Sequence, residues 1–168
     1  VSITCQVIAF TLRPGHGRGI PAIHDGAAGD REPKEAAMPI TITKFLRNVL
    51  YADILFSTGG GLLMAAGAPF LSPLMDLPST LLVGAGLALV PWVMALVIVV
   101  RREQVPRIVL VDVAGINLLW CAGCFGLLAS GEIAPNDLGV AFISAQAVAV
   151  AVLGVLQFLG RRDAASIA

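Results

Sequence analysis

The chain has 168 residues, 57% of them apolar and 13% charged, and its mean hydropathy is +0.88. Soluble domains average about 45–50% apolar and about 25% charged, so this balance points to a membrane protein and excludes a disordered chain. Eleven basic and eleven acidic residues cancel, which argues against nucleic-acid binding, and three cysteines are too few for a disulfide scaffold.

Residues 1–37 differ from the rest of the chain. They hold both histidines, five glycines, three prolines and a balanced set of four basic and four acidic side chains. No helical or strand period runs through them, which predicts loop or disorder. The opening run lacks a basic start and breaks at Arg13-Pro14, unlike a signal peptide. Met38 stands just before the first membrane-type pattern. The expectation is therefore that 1–37 is a tail or an over-extended reading frame, with the true start at Met38.

Four apolar runs come next: Phe45 to Ala68, Ser79 to Val100, Ile108 to Ser130 and Leu138 to Gly160. Each has 22 to 24 residues. A helix of that length spans ~33–36 Å, enough to cross a ~30 Å hydrocarbon core. Inside lipid every backbone group must bond internally, so these spans should be helices. Connections of ten, seven and seven residues make consecutive helices antiparallel neighbours. The expected architecture is an all-α, four-helix transmembrane domain over 38–162, built as two hairpins, with a short tail at 163–168.

Orientation follows from the basic residues. From Met38 onward there are seven: Lys44, Arg47, Arg101, Arg102, Arg107, Arg161 and Arg162. All lie at or just before the start of the first span, between the second and third, or after the fourth. The other two loops carry only the acids Asp76, Glu132 and Asp137. The positive-inside rule then puts both termini in the cytoplasm and excludes dual topology. An internal repeat accompanies this bias. Arg47 and Asp53 match Arg107 and Asp112, Asp76 matches Asp137, and Arg101-Arg102 matches Arg161-Arg162, at offsets of 59 to 61 residues. Such a pattern fits two copies of one hairpin.

Asp53 and Asp112 are the most informative candidates. A carboxylate within a membrane helix costs ~2.5–3.5 kcal/mol on insertion scales, so it faces the bundle or an aqueous cavity. Two acids at matching depth suit a proton- or cation-coupled site. Arginines snorkelling back to pair with them would make the same acids structural. Ser57, Thr58, Asn117 and Gln146 lie nearer the midplane, as a transport layer or as interhelical hydrogen-bonding groups. Gly59-Gly60-Gly61 and Pro91 interrupt the first two spans. Gly84 with Ala88, and the Ala147, Ala151, Gly154 stripe, read as packing faces.

Cys121 and Cys124 share one helix face. The pair suggests membrane thiol redox or simple apolar packing. The layout has some similarity to the four-helix disulfide-bond oxidases, which also need a second cysteine pair; here the other cysteine is Cys5. No histidine lies in the spans, and there is no Ser-His-Asp set, phosphate loop or nucleotide fingerprint. No metal or cofactor is therefore expected.

From Phe45 to Arg162 the chain resembles the small four-helix integral membrane proteins of bacteria. The Arg-rich start, the early Asp in spans one and three, Asn117 to Trp120 and the closing Arg-Arg carry the likeness. It implies the bacterial inner membrane. The leading expectation for function is a structural or accessory protein that meets the lipid bilayer and packs with a membrane partner or a second copy of itself. The alternatives are a small proton-coupled transporter using Asp53 and Asp112, and a thiol oxidoreductase using Cys121 and Cys124.

Overall fold

The computed structural model describes residues 39–165, with side chains from 41 to 160. The expectations for 1–37 and Cys5 lie outside the described residues. The elements run β1 (Pro39–Thr41), α1 (Lys44–Met75), α2 (Ser79–Val100), β2 (Gln104–Pro106), α3 (Arg107–Ser130) and α4 (Asp137–Ala165). All four helices are long and apolar enough to cross a membrane. Their outer faces agree: Leu55, Phe70 and Leu119 are 76%, 72% and 68% exposed. Apolar exposure on that scale suits lipid and would drive aggregation in water.

The helix ends reflect local chemistry. The Thr43 hydroxyl accepts from Leu46 N at 3.2 Å, capping α1. Gly131, at φ +71°, closes α3 in the left-handed region where a side chain is costly. Asn136 opens α4, its Oδ1 accepting from Gly139 N at 3.0 Å, and Asp137 places negative charge in the first turn.

The first span is longer than its sequence suggests. Pro69 and Pro73 read as loop, yet both lie inside α1, which continues seven residues past Ala68 to Met75. Packing decides this. Leu71 and Met75 are buried with Met64, Ala68, Leu82 and Ile143, and that burial outweighs the lost backbone bonds. The helix stops at Asp76, at φ 51°, whose N–H reaches Ser72 O, while Ser72 Oγ donates to Leu77 O at 2.6 Å. Only Asp76 to Pro78 remain as the turn.

α1 packs along α2, α3 along α4, and α1 also against α4. One end is tied by a strap: β1 pairs antiparallel with β2, Ile40 opposite Val105. Beneath it Leu46, Leu50, Leu96, Val99, Leu110 and Val113 bury together, drawing α1, α2 and α3 close. At the other end, the turn end, Asn136 N donates to Met75 O at 3.3 Å and Asn136 Nδ2 to Leu74 O at 2.9 Å. A Cβ on Gly139 would stand 2.5 Å from Met75 O and 2.8 Å from Pro135 Cβ. Gly139→Ala is therefore expected to push this junction apart and cost about 1–3 kcal/mol, read as a lower thermal midpoint in detergent.

The Gly84 and Ala88 face, a packing face by sequence and also a candidate dimer interface, is not the one that meets α1. Gly84 and Ala88 point outward, and a Cβ on Gly84 would meet nothing within 4 Å. Gly86, two residues on from Gly84, is the contact residue; its Cβ would fall 2.6 Å from Gly61 O. Residues two apart sit ~200° apart around a helix, so the same composition marks either face until a neighbour selects one.

Candidate functional site: a buried polar centre

Buried positions on α1 include Asp53, Ser57, Gly61, Met64 and Ala68, an i, i+4 and i, i+3 stripe. Asp53 and Ser57 are thus turned into the bundle with the core residues. Asp53 is 0% exposed. Its Oδ1 accepts from Ser57 Oγ at 3.0 Å. Its Oδ2 accepts from Asn117 Nδ2 and from Gln157 Nε2, both at 2.7 Å. Asn117 Nδ2 also donates to Gln157 Oε1 at 3.1 Å. One carboxylate thereby joins α1, α3 and α4. It accepts all three bonds.

The approach of α3 to α4 that allows this is set by Gly154. A Cβ there would lie 3.2 Å from Ala114 O and 3.2 Å from Asn117 Cβ. Gly154 belongs to the Ala147, Ala151, Gly154 stripe, and Gln157 is the next residue along it. That continuation is the signal by which Gln157, which sequence reasoning missed, could have been found.

The predicted candidates divide. Asp53, Ser57 and Asn117 come together. Thr58 is exposed and takes no part. Asp112 is half-buried on α3 and has no hydrogen bond or ion pair among the described residues. The two acids related by the repeat offset therefore stand in different surroundings, and only Asp53 belongs to the centre. Asp53 likewise has no ion pair among the described residues. Gln146, half-buried on α4, makes only a long contact from Nε2 to Met64 Sδ at 3.7 Å. Cys121 and Cys124 are both free thiols and half-buried. Among the described residues no three His, Cys, Asp or Glu side chains gather as a metal site.

Two cavities that share lining residues lie beside this centre. α2 and α3 share the core beneath the strap. Elsewhere they border an apolar groove of about 360 Å³, lined by Leu81 and Ala85 on α2, Gly123 and Cys124 on α3, and by Met64 and Phe142. A chamber of about 120 Å³ is lined by Ser57, Asn117, Gln146, Trp92 and Trp120. Ile116, Trp120 and Gln146 border both. Apolar space thus grades into a polar pocket at the level of Asn117.

Compared with known protein families, curated proteins and solved structures, the chain matches none.

Proposed function

We propose that this chain is a structural or accessory protein of a bacterial inner membrane, akin to the small four-helix membrane proteins it resembles. In this reading it is two antiparallel hairpins related by the 60-residue repeat, with both termini in the cytoplasm beside the seven basic residues. The observation that carries the reading is the closed network at Asp53. Asp53, Ser57, Asn117 and Gln157 bond to one another across three helices, as a latch does. Accessory function then lies in the lipid-facing surfaces, where a membrane partner or a second copy would pack.

A second reading, a proton-coupled carrier, is favoured by one feature: Asp53 has no cation beside it among the described residues. The test is gradient decay in liposomes carrying the full chain. The accessory reading expects an imposed pH gradient to relax at one rate for wild type, Asp53→Asn and Asp112→Asn. A solute-dependent decay present in wild type and lost in Asp53→Asn would replace it with the carrier.

A further inference from the structure

We propose that the space between α2 and α3 is a binding site for a lipophilic ammonium ion, its charged head in the chamber beside Ser57 and Asn117 and its apolar body in the groove. This goes beyond the accessory reading and does not depend on it.

Three features of the chamber fix the chemistry of the head. The first is hydrogen-bonding capacity. Asn117 is 2% exposed and spends both N–H bonds on Asp53 and Gln157, which leaves its Oδ1 with no partner among the described residues. An unmet buried carbonyl is costly, and an N–H from a ligand would satisfy it. Gln146, half-buried, offers a second acceptor, since its one side-chain contact of this kind among the described residues is through Nε2. The chamber therefore asks for a donor.

The second is charge. Asp53 does not itself line the chamber, but it bonds directly to Ser57 and Asn117, which do, and no ion pair offsets it among the described residues. In a low-dielectric interior a cation nearby is strongly attracted. The third is the wall: Trp92 and Trp120 both face the chamber, and indole rings attract ammonium heads.

The groove fixes the rest of the ligand. Its lining is almost wholly apolar and lies between two helices long and apolar enough to cross a membrane, so an apolar body suits it. A phospholipid does not fit, since its phosphate would sit against the Asp53 carboxylate. A neutral hydrocarbon would fill the groove but leave the Asn117 oxygen unmet. The occupant is a small amine with one apolar body.

The chain reports on its own site. It has two tryptophans, and both line the chamber. The full chain in lipid nanodiscs would be titrated with a dodecylammonium brominated beside the head group, and with the matching alcohol. Probe amounts are expressed per lipid. Saturable quenching is expected, with the ammonium about tenfold tighter than the alcohol, a difference of about 1.4 kcal/mol. Gly123→Leu should abolish it: Gly123 borders the groove and its Cβ would meet nothing within 4 Å, so the leucine fills the groove without disturbing the helices. Asp53→Asn should bring the two probes to parity. Equal quenching by both probes in the wild type would overturn the proposal. So would saturable quenching that survives Gly123→Leu, or an ammonium preference that survives Asp53→Asn.

Discussion

Asp53→Leu is expected to lower the thermal midpoint by on the order of 10 °C, whereas Asp53→Asn should leave it unchanged or raise it. The two differ in what they do to three buried donors. Leucine strips the partner from Ser57 Oγ, Gln157 Nε2 and one bond of Asn117 Nδ2. Each orphaned buried group costs about 1–3 kcal/mol, although interhelical bonds in membranes average only ~0.6 kcal/mol, so a total of about 2–5 kcal/mol is reasonable. Asparagine keeps an oxygen for Asn117 and Gln157. Its amide can donate to Ser57 Oγ, because a hydroxyl accepts as readily as it donates. The network survives with the Ser57 bond reversed, and the cost of burying a charge disappears. Thermal unfolding of both variants in one detergent decides it. A leucine variant as stable as wild type would mean that the network contributes nothing. An asparagine variant as unstable as leucine would mean that the charge itself holds the bundle.

That comparison separates two roles of one side chain. The latch needs a hydrogen-bonding group of the right length, and asparagine meets that need. What the carboxylate adds is negative charge next to a chamber lined by indole rings and amide oxygens. The charge belongs to the binding proposal, and the bonds belong to the fold.

The four helices were legible because lipid imposes one rule on every span: enough apolar residues to cross, with backbone bonds made internally. The centre was legible in part. Asp53 and Asn117 stand out as polar residues in apolar runs. Gln157 does too, but its nearness to Arg161-Arg162 makes it look like an interface residue. Only the packing stripe through Ala147 and Gly154 puts it inside. Sequence offset measures depth and not rotation. Asp112 matches Asp53 by offset, yet it is half-buried and has no bond among the described residues. The prolines at 69 and 73 misled for a related reason. Local propensity ends a helix there, and the burial of Leu71 and Met75, which no local window reveals, carries it on. The cavities could not be read at all, since they arise from how helices distant in sequence pack against one another.

Gly86→Leu is the second large effect expected, and it tests the helix crossing that the rest of the bundle leans on. A Cβ at Gly86 would sit 2.6 Å from Gly61 O, 2.8 Å from Ala65 N and 2.9 Å from Ala65 Cβ. Two of these atoms are backbone, so no rotamer change can relieve the contact. Even Gly86→Ala must move α1 from α2 by several tenths of an ångström, at about 1–3 kcal/mol. Close approach through small residues is a main source of helix association in lipid, where hydrophobic burial between helices adds little. Leucine should break the crossing outright and lower the midpoint further than alanine does. Because Asp53 rides on α1, its displacement should also loosen the bonds it accepts from Asn117 on α3 and Gln157 on α4. Gly84→Leu is the control on the same helix, since the Cβ there meets nothing within 4 Å. It should unfold like the wild type. If Gly84→Leu and Gly86→Leu lose stability equally, α2 does not present Gly86 to α1, and the groove between α2 and α3 would have to be redrawn with it.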